Sequence, residues 1–409
     1  MPKIVVVWEM GADLGHVTRL DTLAKYLVGR GHEVVCIFSD VSEIQRLYPH
    51  PKTPPYRLLS GPRWPDKRLK LSRPPANLVE VLLSVGYYKA AIIAAKLADW
   101  RAIFAPLQPD IIIYDYAPTA LLATRDRNCQ KISLDDPFSK PPAIFPLPSF
   151  DVNAKVSSAN LRVSETRLVD IVNSVLAEFK LGKIAQACDL FATDKSFLLS
   201  IPELDPFAHV RTLENYVGLM NAGLMNDGRS QEKIAPNWNS LSDAKKVFGY
   251  LKPTYPKIKV FLACLVEFDI QGRFFIPHAS QEVLNICRNS CVEISSRPYD
   301  LTQNMEQCDL IVCHGGHSTL LHATLGGVPA LIIPLQQEQL SSAQKCVDSG
   351  LALGLGGGVE NTETIKSMIH AMLYDKSFKP RAQFIADIYR NKFTRPALEI
   401  ITEYIESCL

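Results

Sequence analysis

The sequence lacks the usual marks of a membrane protein or a nucleic-acid-binding protein. No apolar run reaches the roughly 18 residues of a membrane span. The first residues read as a core-like strand, without the basic segment and cleavage site of a signal peptide. The 44 Lys and Arg residues nearly balance the 42 Asp and Glu residues, so the net charge of +2 indicates no nucleic-acid partner. We therefore expect a globular protein located in the cytoplasm.

Cysteine pairs and metal-ligand patterns are also missing. The 10 cysteines include no C-x-x-C pair and are scattered among apolar segments, which is typical of reduced, buried thiols rather than disulfides. No Asp-x-Asp pair follows a predicted strand. His317 and His322 would lie about 140° apart on a helix that advances about 100° per residue, which is a poor geometry for sharing an ion. We predict no bound metal and no cofactor.

The chain does have the composition and the alternating pattern of an α/β protein. It has 409 residues, of which 47% are apolar and 21% charged; this is typical of globular proteins and long enough for two domains. Apolar strand patterns alternate with helical patterns in both halves, which predicts parallel sheets. Strands are expected at 3–8, 33–38, 111–114 and 130–134, and again at 247–251, 273–276, 292–295, 310–313 and 330–333.

The domain boundaries follow from changes in composition. Residues 1–220 and 246–380 are predicted to be the two domains, joined by a polar linker at 221–245. Within the first domain, the segment from Pro49 to Pro75 is rich in proline and basic residues and is expected to be a long loop. Residues 77–104 are expected to form a helix. Two amphipathic helices at 381–409 are expected to close the chain.

The most informative stretch is a strand followed by a glycine-rich turn and a helix. Leu310 to Val312 predicts the strand, and the apolar spacing from Leu320 onward predicts the helix. The N-terminus of a helix that follows a parallel strand presents unpaired N–H groups and a positive dipole, so it suits a phosphate. Glycines let the backbone approach that phosphate closely. The residues expected to contact it are His314, Gly315, Gly316, His317, Ser318 and Thr319.

With Gly327-Val328-Pro329 and Pro334 to Gln339, this stretch resembles the donor-binding segment of the GT-B glycosyltransferases. The similarity is to the UDP-sugar transferases that glycosylate small molecules, which are related to the cell-wall UDP-GlcNAc transferases. The family pattern has a His, a Gly two residues later and a hydroxyl residue, matched here by His314, Gly316, and Ser318 or Thr319. The resemblance implies two Rossmann-like domains that face each other across a cleft, with a C-terminal helix crossing back to the first domain. Both helices of 381–409 are expected to pack on that domain.

One position departs from the family pattern. The eighth residue after His314 is His322, where the family usually has a Glu that holds the ribose of the donor. A carboxylate can accept two hydrogen bonds from a ribose diol, whereas a neutral imidazole accepts one. His322 is therefore either a weaker ribose contact or a helix residue that faces the domain core.

The first strand and its loop also match the family. Gly15-His16 is similar to the G-H motif whose His is the catalytic base, and Asp115 stands where the family has the carboxylate that orients this base. A His suits general-base catalysis because its pKa lies near working pH. Residues that follow different strands of a parallel sheet converge at one edge, so we expect His16 and Asp115 to meet. Otherwise, His16 caps the first helix and Asp115 satisfies a loop.

Five further residues are candidates for donor contacts. Glu338 and Gln339 follow a strand and could bind sugar hydroxyls, or could cap a helix that starts near Ser341. The resemblance implies that the turn that holds Tyr299 and Leu301 packs on the nucleobase, although Tyr299 is equally compatible with an ordinary surface position. Lys252 follows the first strand of the second domain and either faces the diphosphate or is solvated.

The predicted function is inverting transfer of a sugar from a nucleotide diphosphate, most simply a UDP-sugar, to a hydroxyl group of a small molecule. The acceptor is expected to contact loops near residues 60–85 and 137–150 of the first domain. The basic loop 52–73 leaves open a peripheral membrane contact and a lipid-linked acceptor. A second alternative, suggested by His322, is a non-catalytic GT-B protein that binds nucleotide or activates another transferase.

Overall fold

The computed structural model describes residues 2–11, 14–48, 51–66, 68–150, 156–211, 216–220, 237–239, 243–305, 307–356 and 361–409. The chain divides into two compact units. Unit 1 consists of Met1–Ser200, Phe207–Met220 and Pro396–Leu409, and unit 2 consists of Ile201–Pro206 and Asn221–Arg395. Most of the predicted linker, at 221–236 and 240–242, lies outside the described residues.

The strands of the described residues alternate with helices along both units. The strands are β1 Lys3–Trp8, β2 Glu33–Phe38, β3 Arg57–Ser60, β4 Ile111–Asp115, β5 Gln130–Asp135, β6 Lys195–Leu198, β7 Lys245–Tyr250, β8 Ile270–Phe275, β9 Val292–Ser295, β10 Leu310–Cys313, β11 Ala330–Ile332 and β12 Ala352–Gly354. The α-helices are α1 Leu14–Gly29, α2 Ser42–Leu47, α3 Leu78–Leu82, α4 Ala90–Phe104, α5 Pro118–Ala123, α6 Ser158–Glu178, α7 Ile258–Leu265, α8 Gln281–Cys287, α9 Leu301–Met305, α10 His317–Leu325, α11 Gln337–Asp348, α12 Thr362–Tyr374, α13 Phe378–Lys392 and α14 Ala397–Ser407.

Unit 1 is built on a parallel sheet of six strands in the order β3-β2-β1-β4-β5-β6. β1 lies inside the sheet, and its residues from Ile4 to Val7 are fully buried although they point to alternating faces. Apolar runs that are buried on both faces are typical of parallel strands covered by helices. The prediction of a parallel α/β first half is therefore confirmed.

Unit 2 repeats this architecture with a second parallel sheet in the order β12-β11-β10-β7-β8-β9. β10 lies between β7 and β11, so the ends of these three strands are adjacent. Leu310, Ile311 and Val312 of β10 are fully buried. The glycine-rich turn after β10 therefore follows a central strand of the sheet.

Three strands were missed by the sequence analysis. β3 lies within the segment expected to be a loop, β6 follows the helical part of unit 1, and β12 follows α11. Each has only three or four residues, and β3 is an edge strand whose residues are exposed or half-buried. Such strands lack the continuous apolar run that marks a central parallel strand, because only one side of the ladder is occupied.

The expected helix at 77–104 is broken in two. α3 continues into a π-helical turn at Leu83–Tyr87, and α4 starts at Ala90. The break is at Gly86, whose φ/ψ values are not helical. The ring of Trp64 packs against Gly86, and a Cβ atom there would lie 2.5 Å from this ring. The tryptophan therefore occupies the space that a side chain would need.

Only one of the two C-terminal helices packs on the first unit. α14 returns to unit 1, where Ile401 and Ile405 are fully buried and Glu406 pairs with Arg30 through two hydrogen bonds of 2.6 and 2.7 Å. α13 stays in unit 2, since Tyr389 Oη donates to Glu203 Oε2 at 2.6 Å within that unit. The prediction that both helices of 381–409 pack on the first domain was therefore wrong for α13.

Within the described residues, no single helix has the length and apolar composition needed to cross a membrane. The segments Leu78–Tyr87 and Ala90–Phe104, bent by 84° relative to each other, reach that composition only as a pair. Their large apolar residues, such as Leu82, Leu97 and Trp100, are buried in unit 1.

Candidate active site and donor-binding segment

The first candidate site lies at the carboxyl edge of the unit 1 sheet. β1 and β4 are neighbours, and Trp8 and Asp115, the last residues of these strands, are register partners. The chain leaves β1 through a loop and enters α1, whose first turns carry His16 and Arg19. Ala12 and Asp13 of the loop lie outside the described residues. The strand order thus brings His16 to Asp115 across 99 positions of sequence.

His16 and Asp115 form the pair that the sequence predicted. His16 Nδ1 lies 2.8 Å from Asp115 Oδ1. An ionised carboxylate only accepts hydrogen bonds, so Nδ1 carries the proton and donates a hydrogen bond to Asp115. In the neutral ring, Nε2 is then the basic nitrogen. The geometry required of a base and its orienting carboxylate is present, while the catalytic roles stay predictions.

Arg19 is a third member of this cluster, which the sequence analysis did not find. Its Nε donates to Asp115 Oδ2 at 2.5 Å, and its Nη2 donates to Asp115 Oδ1. Its Nη1 lies 3.7 Å from Asp136 Oδ2, after the end of β5. A signal was available, because residues three apart on a helix share one face, so Arg19 had to point the same way as His16.

The charges in the cluster shift the pKa values of its members. Burial would raise the pKa of Asp115, but Arg19 and then His16 offset it and hold this pKa at about 2. Burial would lower the pKa of His16, but the carboxylate of Asp115 more than offsets it, so the pKa lies above the ordinary value of 6.5. Arg19 acts in the opposite direction and limits this rise. Asp115 is therefore a permanent anion and His16 a titratable group.

Two neighbours fix the position of the imidazole. The ring of Trp8 stacks on His16 with ring centres 5.8 Å apart and an angle of 16° between the planes. Gly11 lies on the Nε2 side of the ring, and a Cβ atom at this glycine would be 2.6 Å from Nε2. Gly11 also has a φ of +95°, which favours glycine. The loop after β1 therefore lets the imidazole pack closely against Gly11, where a side chain would displace it.

Glu9 is a buried carboxyl group at the same edge, also missed from the sequence. It accepts hydrogen bonds from the Thr119 and Ala120 N–H groups at the start of α5, at 2.9 and 3.1 Å, and from Trp64 Nε1 at 3.1 Å. Burial raises its pKa to about 7, although these donors favour the ionised form. Glu9 therefore ties the loop that holds Trp64 to α5.

The two loops expected to bind the acceptor lie side by side. Asn77 Nδ2 donates to the Leu147 carbonyl at 2.8 Å, and the Phe150 N–H donates to the Ala76 carbonyl at 2.8 Å. Trp64, in the first loop, stacks on Tyr87 with ring centres 5.2 Å apart. Both loops belong to unit 1, as does His16.

The second candidate site is the turn between β10 and α10 in unit 2. Gly315 has a φ of +85°, and a Cβ atom there would lie 2.8 Å from Ile332 and 3.1 Å from the carbonyl oxygen of Gln339. Gly316 is the N-cap of α10 and has open space around it. His317 is buried at the first helical position, while Ser318 is exposed and Thr319 half-buried. The turn thus presents the backbone N–H groups of a helix start, as the sequence predicted.

His314 is held by the backbone on both sides of its ring. Its Nε2 accepts the Lys252 N–H at 2.7 Å, and its Nδ1 lies 2.8 Å from the Ile333 carbonyl oxygen, to which it donates. The side chain is almost fully buried. His314 therefore connects the loop after β7 to the end of β11. Its contact with the phosphate of a donor stays a prediction.

The remaining donor candidates divide into buried and accessible residues. Gln339 Oε1 accepts the Leu335 N–H at 2.8 Å, and this glutamine is buried. Tyr299 is also buried and meets Phe248 edge to face at 6.0 Å, so it is not the surface tyrosine considered from the sequence. Glu338 and His322 are half-buried. The expected helix start near Ser341 was wrong, since α11 begins at Gln337.

Leu301 is the first residue of α9, and Lys252 follows β7 by two positions. Both are half-buried. No group of three or more His, Cys, Asp or Glu side chains in the described part of the chain has the arrangement of a metal site.

Comparison with known proteins identifies the class to which these units belong. Over its full length, the chain resembles CalG4, the calicheamicin glycosyltransferase, with a TM-score of 0.70 and 15% identity, covering 100% of this chain and 98% of that structure. It also resembles the glycotransferase of kitacinnamycin, with a TM-score of 0.68, 17% identity, and coverage of 100% and 99%. A third similar structure is glycosyltransferase VinC in complex with DTDP, with a TM-score of 0.67 and 16% identity, covering 100% of this chain and 99% of that structure. The chain has the GT-B glycosyltransferase fold.

The C-terminal part gives a more particular match. Residues 279–389 match the glycosyltransferase family 28 C-terminal domain. A curated relative, UDP-glucosyltransferase 2 of Dactylopius coccus, is 29% identical over 96 residues, which are 23% of this chain and only 19% of that protein. The chain has the GT-B fold, and the match of this domain confirms the resemblance inferred from the sequence motifs.

Proposed function

We propose that the chain transfers a sugar from a nucleotide diphosphate donor to a hydroxyl group of a small molecule, with inversion at the anomeric carbon. The observation that carries this proposal is the 2.8 Å contact between His16 Nδ1 and Asp115 Oδ1 at the carboxyl edge of the unit 1 sheet. This contact leaves Nε2 as the base, and Trp8 and Gly11 hold the ring in position.

In the proposed reaction, His16 Nε2 accepts the proton of the acceptor hydroxyl group as its oxygen attacks the anomeric carbon. The bond from that carbon to the diphosphate oxygen breaks, and the nucleoside diphosphate leaves with the electron pair. A single displacement from the opposite face inverts the configuration. Asp115 stabilises the imidazolium that forms, as a carboxylate does in other His-based catalysts.

The donor is proposed to bind at the start of α10 in unit 2. The leaving diphosphate develops negative charge, which the N–H groups of a helix start can stabilise without a metal. His314 and Gln339 support the backbone here through their bonds to Lys252, Ile333 and Leu335. We accordingly propose metal-independent transfer, and expect excess EDTA to leave the rate unchanged.

The donor nucleotide is proposed to be UDP, with TDP as the competing possibility. The curated relative is a UDP-glucosyltransferase, whereas structures of VinC and of the spinosyn rhamnosyltransferase SpnG are complexes with DTDP and thymidine diphosphate. The two nucleotides differ in the 5-methyl group of the base and in the ribose 2′-hydroxyl group, and His322 stands where the resemblance implies a Glu that holds the ribose.

The decisive experiment incubates the chain with UDP- and TDP-sugars and a set of hydroxylated small molecules, and measures the mass gained by each acceptor. The His16→Ala variant is the control. A gain of one hexosyl unit that disappears in the variant supports the proposal, and NMR of the product's anomeric proton gives the stereochemistry. No mass gain and no donor hydrolysis across the set would contradict it.

Membrane contact through the basic loop 52–73 stays a prediction, as does the cytoplasmic location. Lys67 lies outside the described residues. Two arginines of the loop are already paired, Arg63 with Asp40 at 2.9 Å and Arg73 with Glu80 at 2.7 Å. We therefore expect little flotation of the protein with anionic vesicles.

All ten cysteines are free thiols, and none forms a disulfide bond.

A further inference from the structure

Arg19 occupies both oxygens of the carboxylate that is expected to orient His16. Its Nε donates to Asp115 Oδ2 at 2.5 Å and its Nη2 donates to Asp115 Oδ1, so the planar guanidinium meets the carboxylate in a two-pronged pair. Asp115 is fully buried, and the side chain of Arg19 is only 13% exposed. A bidentate pair of this kind, shielded from water, fixes both the position and the rotation of the carboxylate.

The same guanidinium approaches the ring of His16. Arg19 Nη2 lies 3.0 Å from His16 Nδ1. Arginine has no acceptor, and Nδ1 already carries a proton that it gives to Asp115, so these two nitrogens do not bond to each other. Instead, both donate to Asp115 Oδ1, which has room for two hydrogen bonds. The carboxylate thereby accepts three hydrogen bonds from these two residues, two at Oδ1 and one at Oδ2.

We propose that Arg19 is a positioning residue: by bonding Asp115 Oδ2 and one of the two acceptor positions of Oδ1, it holds this carboxylate so that His16 Nδ1 donates to Oδ1, and so holds the imidazole with Nε2 as its basic nitrogen. This inference rests on the proposed function only for its catalytic consequence. The tautomer that it assigns can be observed whether or not the protein transfers a sugar.

Arg19 also sets the charge around His16. The charged groups that act on the imidazole are Asp115 from β4, Asp136 after β5, and Arg19 from α1 itself. The two carboxylates favour the imidazolium and Arg19 opposes it. Without the guanidinium, the imidazole would bind its proton more tightly, and a larger fraction of the protein would hold His16 in the protonated form that cannot act as a base.

Two variants distinguish the positioning role of Arg19 from the effect of its charge. Arg19→Lys keeps the charge but removes the fork, because an ammonium group cannot bond both oxygens in one plane. Arg19→Gln removes the charge as well. Arg101→Gln is the matched control, since Arg101 forms a two-pronged pair with Asp126, at 3.0 Å for both bonds, on the exposed surface of the same unit.

The experiment is NMR of ¹⁵N-histidine-labelled protein, which reports the protonated ring nitrogen and the titration of His16. In the wild-type protein, we expect neutral His16 to carry its proton on Nδ1. In Arg19→Gln, we expect a tenfold or greater rise in proton affinity, as follows from losing a charge about one contact distance away. In Arg19→Lys, we expect a near wild-type titration but a mixture of tautomers. Arg101→Gln should match the wild-type protein.

Transfer rates then connect the tautomer to catalysis. We expect Arg19→Lys to lower kcat with little change in donor KM, and Arg19→Gln to move the acid limb of the kcat/KM profile to higher pH. A wild-type protein with the proton on Nε2 would overturn the inference without any variant. So would an Arg19→Gln variant that is folded and titrates like the wild type. If the NMR results are as expected but no transfer is found, the positioning role stands and the proposed function fails.

Discussion

Two buried carboxyl groups at one edge of the unit 1 sheet differ in charge because their partners differ. Burial would raise the pKa of Asp115, yet Arg19 and His16 hold it at about 2. Glu9 has N–H donors from Trp64, Thr119 and Ala120 but no cation among its partners in the described residues, and burial raises its pKa to about 7. A permanent negative charge is thus kept beside His16, while Glu9 changes its charge near neutral pH.

The first prediction concerns the proposed base. His16→Ala should reduce transfer by the 10²–10⁴-fold that general-base catalysis typically contributes, or by more. UDP affinity measured by calorimetry should stay unchanged, because the residues proposed to hold the donor lie in unit 2. Asp115→Asn should reduce the rate less than His16→Ala does. A near wild-type rate in His16→Ala would show that the base has been assigned to the wrong residue.

The second prediction concerns Glu9 and the pH dependence of stability. The folded protein raises the pKa of this carboxyl group from 4.5 to about 7, so the protonated form is the one that stabilises the fold. Its contribution is fully present below pH 4.5 and is lost as the pH rises through 7. Over that window, we expect the free energy of unfolding to fall by about 3 kcal/mol, at about 1.4 kcal/mol per unit of pKa shift.

Urea unfolding at pH 5 and pH 8 measures this dependence. Glu9→Gln should flatten it, because an amide keeps an acceptor oxygen but does not titrate. Glu33→Gln, at an exposed position at the start of β2, is the control and should keep the wild-type dependence. An unchanged slope in Glu9→Gln would assign the pH dependence to other groups.

At the scale of elements, the turn before α10 combines a required glycine with a permissive one. Gly315 has a positive φ, and the neighbouring Ile332 and Gln339 leave no room for a Cβ atom. Gly316 has a negative φ of −58° and no atom near the position of a Cβ. The first glycine is therefore needed by the fold, whereas the second is compatible with a side chain.

The third prediction compares these two glycines. Gly315→Ala should lower the stability of unit 2 by more than 1 kcal/mol, because it adds both backbone strain and a steric clash. Gly316→Ala should leave the melting temperature close to that of the wild type. UDP affinity should weaken in Gly315→Ala, since the displaced turn carries the N–H groups proposed to bind the diphosphate. Equal melting temperatures for the two variants would contradict the geometry of the turn.

Elements with a strong local pattern could be predicted from the sequence, and those set by tertiary contacts could not. β1 and β10 have continuous apolar runs, so their positions were predicted correctly, and the motif after each run led to His16 and to Gly315. The break at Gly86 was missed because it depends on Trp64, which is distant in sequence. Arg19 was missed because an arginine in an amphipathic helix usually faces solvent. Its spacing of three from His16 places both on one face of α1, and the fold shows that this face meets Asp115.

The turn between β10 and α10 also shows what the sequence alone cannot predict. The sequence pattern correctly located the strand, the turn and the helix. It could not show which side chains form hydrogen bonds with backbone groups of other loops. Both nitrogens of His314 bond to backbone groups of Lys252 and Ile333, and Gln339 bonds to Leu335. Hydrogen bonds between residues of different loops follow from the folded arrangement and leave no mark in local sequence.

At the scale of the whole molecule, the chain leaves unit 1 after Met220 and returns to it at Pro396. α14 completes a hydrophobic core that includes Ile4 and Val6 of β1 and Leu20 of α1, to which it adds Leu398 and Ile401 among others. Full burial of each such side chain contributes about 1.5–3 kcal/mol. Unit 1 therefore depends on residues from both ends of the sequence.

The fourth prediction tests this dependence with two isoleucines near the end of the chain. Ile401→Ala, in α14, removes a fully buried side chain and should destabilise unit 1 by about 2–5 kcal/mol. Ile388→Ala, in α13, removes a side chain that is 42% exposed and should change stability by less than about 0.5 kcal/mol. Calorimetry of the two variants, with separate spectroscopic probes in each unit, measures the effect. Equal effects would mean that α14 adds little to the core.

The return of α14 has a consequence for how the protein is made. A ribosome adds about 5–20 residues per second, so roughly 10–35 s pass between the synthesis of Met220 and that of Pro396. During this interval, the nascent unit 1 has its sheet but lacks the helix that covers one apolar face, whereas all of unit 2 except Ile201–Pro206 is made in one stretch from Asn221 to Arg395. We expect the later-made unit to complete its fold first, and the waiting surface of unit 1 to be where chaperones engage the growing chain.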